Sequence, residues 1–175
     1  MKPERLSRNI VYQSTWVNLY LDKVKFPNGH VIEKHHLLDF PRTAVAVIME
    51  NDLGHIVFVS VCRYTTGATE WELPAGGVES RETEIDAARR ELLEETGYTS
   101  KNHKLIYSYY PMNGIANKLF HIVHCRAVDP VQDFDRNEIS EVRWFTKNEV
   151  RQMVKDKVIT DGFTLTALLL WLQNQ

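Results

Sequence analysis

A chain of 175 residues, 43% hydrophobic and 25% charged, has the composition of one ordinary folded domain or a domain with a small appendage. Such a chain can bury a core without staples. Its net charge of −2 argues against a nucleic-acid polyanion as the main partner. The longest apolar stretches, near residues 44–49 and 167–172, are too short to span a bilayer, and the first twenty residues lack the apolar core of a signal peptide. Cys62 and Cys125 both lie in apolar strand-like runs and read as buried, reduced thiols, so a cytoplasmic protein is expected.

In chain order, Val17, Leu19 and Leu21 alternate with Asn18 and Tyr20, and residues 31–38 alternate again, with Phe26-Pro27-Asn28-Gly29 between them. Asn-Gly between alternating runs predicts a hairpin, because both residues tolerate positive φ. Residues 43–49 and 55–64 are β-branched and apolar, joined by Asn51-Asp52-Leu53-Gly54, and read as central strands. Leu73 to Gly77 reads as a loop. Residues 83–96, rich in Ala, Leu, Glu and Arg, predict a helix with Thr83 as N-cap and Asp86 completing a capping box. Strands follow at 104–109, 118–125 and 142–145. Thr146 and Glu149 open a short helix, and 161–173 form a last amphipathic helix with Leu168, Leu169, Leu170, Trp171 and Leu172 towards the core. This order indicates an α+β fold, a mixed sheet between helices. Residues 1–40 are read as an N-terminal β region and 41–175 as the main domain.

The chemistry lies between Gly76 and Tyr98. A helix turns about 100° per residue, so Glu91, Glu94 and Glu95 share one side. A Glu-rich helix is usually a solvated face. Here the frame around it is specific. Gly97 stops the helix, Ala87, Ala88 and Leu92 supply an apolar face, and the small residues Ala75-Gly76-Gly77 let a ligand approach the backbone. Like-charged carboxylates one turn apart repel when merely exposed, whereas a divalent cation turns the repulsion into ligation.

This stretch resembles the Nudix box: Gly76, five residues, Glu82, seven residues, then Arg90-Glu91-Leu92, Glu94-Glu95, Gly97 and Tyr98. Tyr98 is its one departure, standing where an aliphatic residue is commoner. Seven fixed residue types at this spacing arise by chance on the order of once in 10⁸ starting positions. The resemblance implies a Nudix fold and hydrolysis of a nucleoside diphosphate linked to another group. It implies Glu91 and Glu95 as main metal ligands, with Glu94 close by and the Ala75 carbonyl as a further ligand. The metal would be Mg²⁺, with Mn²⁺ as an alternative. Arg90 would orient the glutamates, and Glu82 would support the loop–helix junction.

Beyond the box the chain resembles the ADP-ribose pyrophosphatase and nucleotide-sugar hydrolase branch, through Trp71-Glu72-Leu73-Pro74-Ala75-Gly76 and through Arg63, nine residues before Glu72. The branch implies Arg63 on a substrate phosphate with Glu72 beside it, and a homodimer formed through the N-terminal β region. It also implies a glutamate on a late loop as the base; Glu138 holds that place and Glu141 is the second choice. After the box the branch often has Ser-Pro-Gly and an acid. Here Tyr110-Pro111-Met112-Asn113-Gly114-Ile115 keeps Pro111 and Gly114 without the acid, so Gly114 is retained as a substrate contact and the non-nucleotide half stays open. His35, His36, His121 and His124 have no ligand-like setting. Two other readings stand beside the hydrolase: a Nudix-fold ligand sensor and an enzyme for oxidised nucleoside triphosphates. Intact box glutamates weigh against the first and the N-terminal β region against the second.

Overall fold

The computed structural model describes residues 1–173. It contains two compact units: Met1–Thr43 with Tyr110–Leu119, and the rest of the chain from Ala44.

The first unit is a three-stranded antiparallel sheet of β1 (Glu4–Tyr12), β2 (Asn18–Lys25) and β3 (Val31–Asp39), with β2 in the middle. The β2–β3 hairpin turns at Asn28-Gly29. Gly29 has φ 88°, and its N–H donates to the Phe26 carbonyl at 2.9 Å. The alternation in β2 marks the strand, but the face it buries carries Asn18, Tyr20 and Asp22 rather than Leu19 and Leu21. Partners on neighbouring strands make this tolerable: Arg8 donates twice to Asp22 at 2.7 Å and lies 4.0 Å over the Tyr20 ring, while Asn18 donates to Asp39 at 2.8 Å. β1 carries no clear period and every residue of it is exposed, so its strand state comes from pairing with β2.

The loop around Asn113 and Gly114 belongs to this unit and not to the body expected from residue 41 onward. Leu38 bridges Ala116, the Asn117 side chain donates to Asp39 at 2.5 Å, and the Phe40 N–H donates to Asn117 at 2.7 Å. Gly114 itself sits in a turn closed by the Ile115 and Ala116 N–H groups donating to the Met112 carbonyl.

The second unit is built on a seven-stranded mixed sheet containing β4 (Ala44–Glu50), β5 (Ile56–Arg63), β6 (Ala68–Glu72), β7 (Ala75–Gly77), β8 (Tyr98–Tyr109), β9 (Phe120–Pro130) and β10 (Ile139–Phe145). The main path runs β10-β5-β4-β9-β8, with β6 on β5 and β7 on β4. Among the described residues of this sheet, β4 and β9 form the one parallel pair. β4 is buried throughout, as a strand covered on both faces must be. Val45, Val47 and Met49 pack with Ala87, Ala88 and Leu92 of α1 (Glu84–Thr96), whereas Ile48 faces the cluster containing Val150 of α2 (Lys147–Lys155) and Ala167, Leu168 and Trp171 of α3 (Gly162–Gln173). The sheet thus lies between α1 on one side and α2 with α3 on the other.

Both capping boxes form, at Thr83/Asp86 and at Thr146/Glu149. Three expectations change. Leu73 to Gly77 is not all loop, because Ala75–Gly77 pairs with β4, a partner that glycine-rich sequence does not announce. Leu169 is 45% exposed, since five consecutive helical residues sweep past a full turn and cannot all face inward. Cys62 is exposed at the end of β5; Cys125 is buried, and burial pushes its thiol up to about 12. His121 is buried against Ser108, and His124 bonds Glu50 at 3.0 Å.

Candidate active site

The site grows from the junction of β7 and α1. Ala87, Ala88 and Leu92 hold one side of α1 in the core, which leaves Glu91 and Glu95, one turn apart, to project toward β7. The main chain meets them there. The Ala75 N–H donates to Glu95 Oε2 at 3.0 Å. At Gly76 an added Cβ would lie 1.9 Å from Glu91 Oε1, so the missing side chain is the space that this carboxylate fills.

Part of Glu95 reaches solvent, but its carboxyl group is enclosed. Burial pushes it up to about 8; the Ala75 N–H and the Arg63 charge oppose that rise, while Glu91 and Glu138 add to it. Burial also raises Glu91, against the pull of Arg90. Arg90 organises the acidic cluster. It donates to Glu82 at 2.8 and 3.0 Å, to Glu91 at 2.8 Å, to Glu94 at 3.2 Å and to the Gly77 carbonyl at 2.9 Å. The Arg90 bond and the Glu79 N–H hold Glu82 down to about 2. Glu82 therefore ties Arg90 to the turn before the helix.

Among the described residues, no three His, Cys, Asp or Glu side chains already form a group able to hold a metal ion. What the structure gathers is a pair of carboxylates, Glu91 and Glu95, both driven toward protonation by burial, with Arg90 bonded to Glu91 and shared with Glu82 and Glu94. That donor set fits a hard divalent cation, which takes carboxylate oxygens and keeps open positions for phosphate. Glu94 borders the pair, 53% exposed and bonded to Arg90.

Arg63, at the end of β5, donates to both Glu72 oxygens at 2.9 and 2.5 Å, a two-pronged ion pair whose Glu72 side chain is only 5% exposed. The β5–β6 register sets Glu72 opposite Val59 and Arg63 opposite Ala68, which puts both side chains on one face of the ribbon. The Glu72 bond is the main influence holding the Arg63 guanidinium charged, and Glu95 and Asp161 add to it. Asp161 is a residue that sequence reading placed only as a helix start. Its side chain accepts the Thr164 N–H at 2.8 Å, while its charge bears on Arg63. A capping aspartate looks the same in sequence wherever its helix begins, so nothing there announces this second role.

Glu138 is exposed, in the residue before β10, and its charge reaches Glu95. Glu141 lies within β10, opposite Ser60. The structure thus brings Ala75, Arg90, Glu91, Glu94, Glu95, Arg63, Glu72 and Glu138 into one unit, and Gly114 lies in the other.

Residues 40–165 match the NUDIX domain family. The chain is 29% identical over 171 residues to the ADP-ribose pyrophosphatase of Bacillus subtilis (strain 168), spanning 96% of this chain and 91% of that protein. It is 28% identical over 161 residues to the CMP-5'-(N-acetyl-N-hydroxy-3-aminopropyl)phosphonate hydrolase of Streptomyces rubellomurinus, covering 91% of this chain and 77% of that one. Identity to the methanol dehydrogenase activator of Bacillus methanolicus is 30%, over 90% of this chain and 86% of the other. A solved structure of an ADP compounds hydrolase superposes with a TM-score of 0.87 at 20% identity, covering 100% of this chain and 96% of that one. With Arg90, Glu91, Glu94 and Glu95 of the box in place on α1 and the match running from residue 40 to residue 165, the chain belongs to the NUDIX family.

Proposed function

We propose that this protein hydrolyses the diphosphate linkage of ADP-ribose or a related nucleoside diphosphate sugar, giving a nucleoside monophosphate and a sugar phosphate. The observation that carries the reading is the enclosed Glu91–Glu95 pair against β7, within electrostatic reach of the Arg63–Glu72 fork. Mg²⁺, or Mn²⁺ in its place, would be held by Glu91 and Glu95, with Glu94 and the Ala75 carbonyl as further ligands. Bound there, the cation supplies positive charge to the diphosphate oxygens.

The chain's own groups do the rest. Arg63 binds a phosphate, and Glu72 fixes the plane of its guanidinium. Arg90 keeps Glu91 and Glu94 oriented. Glu138 takes the proton from the attacking water as the oxygen joins phosphorus and the P–O–P bond breaks, the leaving phosphate keeping the bonding electrons. A role for Gly114 in substrate recognition rests on the family resemblance alone.

The relative from Bacillus subtilis supports ADP-ribose, and the one from Streptomyces rubellomurinus carries a cytidine nucleotide in its name, so the base is decided by assay. The protein with Mg²⁺ should convert at least one of ADP-ribose, GDP-sugars and UDP-sugars to its monophosphate and sugar phosphate. Absence of both products from the whole panel would refute the reading. For the N-terminal sheet we propose homodimerisation. Leu6, Ile10, Tyr12 and Trp16 are 45%, 55%, 56% and 78% exposed, an apolar surface suited to a second copy. Sedimentation of wild type against Ile10→Glu tests this, a monomeric wild type being the adverse result. The free thiols of Cys62 and Cys125 suit a reducing compartment such as the cytoplasm.

A further inference from the structure

The last turn of a helix leaves carbonyl groups without partners inside the helix. At the end of α1 one distant segment, the loop from Val131 to Glu138, takes up the Glu94 carbonyl and bonds the carbonyls of Leu93 and Gly97 beside it. The Asp135 N–H donates to the Glu94 carbonyl at 2.8 Å, the Gln132 side chain donates to the Leu93 carbonyl at 3.3 Å, and the Val131 N–H donates to the Gly97 carbonyl at 2.9 Å. The residue between helix and strand allows this approach. Gly97 has φ 74°, and a Cβ on it would lie 2.1 Å from the Gln132 carbonyl oxygen. The glycine that closes the box therefore does more than stop the helix. It leaves the space in which the acidic loop seats.

Inside the loop one side chain sets the turn. Asp135 Oδ1 accepts the Asn137 backbone N–H and its side-chain Nδ2–H, both at 2.8 Å, and the Asp135 carbonyl accepts the Ile139 N–H at 3.1 Å. Glu138 lies between these two anchored residues, with the buried Ile139 starting β10 directly after it. One residue is thus tied through its main chain to α1, which carries Glu95, and through its side chain to the turn that presents Glu138.

We propose that Asp135 is a positioning residue: it holds Glu138 at a fixed place relative to Glu95 by joining the loop turn to the C-terminal end of α1. The proposal rests on the hydrolase reading with Glu138 as the base. Its chemistry needs only the acceptor oxygen of Asp135, not its charge. Asparagine supplies the same acceptor and alanine does not.

Steady-state kinetics on the best substrate of the nucleotide panel should separate the two variants. Asp135→Ala is expected to lower kcat by about 10- to 100-fold with KM within about twofold, because an ångström of misplacement of a catalytic group costs on this scale. Asp135→Asn is expected to stay within about threefold of wild type in both constants. Equal losses in the two variants would show that charge, not position, matters, and would overturn the proposal. So would an unchanged kcat in Asp135→Ala. Hydrogen exchange of the whole protein gives a readout independent of turnover: the Asn137 and Ile139 amides should exchange at least tenfold faster in Asp135→Ala and at the wild-type rate in Asp135→Asn. If wild type hydrolyses nothing in the panel, the functional reading fails and the positioning role with it, while the Asn137 amide still reports whether the Asp135 side chain holds the loop turn. If wild type is active and Glu138→Gln is not impaired, the base assignment falls and the positioning role falls with it.

Discussion

Replacing Glu95 by Gln should uncouple the stability of the metal-free protein from pH while removing its activity. Burial raises the Glu95 carboxyl from about 4.5 to about 8, so in the folded protein it holds a proton that the unfolded chain releases at lower pH. The associated stability is fully present below about pH 4.5 and is lost as pH rises through about 8. Each tenfold change in proton affinity is worth about 1.4 kcal/mol, which sets the greatest possible loss at about 5 kcal/mol. Even 2 kcal/mol would lower the melting midpoint of a chain this long by about 4–8 °C.

Glutamine carries no charge at any of these pH values and can still accept the Ala75 N–H through its amide oxygen. Urea or thermal unfolding in EDTA from pH 5 to 9 should therefore show wild type falling away from the variant as pH rises. Glu91 is raised by burial as well and interacts with Glu95, so the difference between the two curves reports Glu95 together with its coupling to Glu91. Mg²⁺ should restore wild type at pH 8, by about 2.7 kcal/mol at a hundredfold excess over its Kd, and leave the variant unmoved. Parallel stability curves with EDTA, or equal stabilisation of both proteins by Mg²⁺, would refute the enclosed, cation-seeking carboxylate.

Gly76→Ala should fold, because its new methyl meets only the flexible end of Glu91, yet it should lose at least about 100-fold in kcat with Mg²⁺ binding weakened in calorimetry. Gly97→Ala is expected to cost about 2–4 kcal/mol in urea unfolding, since both its φ of 74° and the Gln132 carbonyl oppose a side chain there. Arg90→Lys keeps the charge but cannot span Glu82, Glu91 and the Gly77 carbonyl together; thermal unfolding should drop by about 1–3 kcal/mol and metal affinity should fall with it. Leu168→Ala should cost about 2–5 kcal/mol in the same measurement and leave KM unchanged, because that side chain is wholly buried away from the site.

Elements whose signals are local were legible along the chain. The hairpin at Asn28-Gly29 follows from φ preferences, the all-apolar β4 from burial on two faces, and α1 from a capping box, an apolar stripe and a terminal glycine. The one-turn spacing of Glu91 and Glu95 is likewise a property of helix geometry alone. The remaining features depend on segments far apart in the chain. β1 and β7 are strands because β2 and β4 offer them hydrogen bonds, and the loop around Gly114 joins the N-terminal unit because Leu38 and Asp39 hold Ala116 and Asn117. Asp161 and Glu138 bear on Arg63 and Glu95 through space, at sequence distances where no periodicity reaches. Spacing along one helix could name the carboxylates. Only their packing against β7 encloses them and keeps them from being ordinary surface acids.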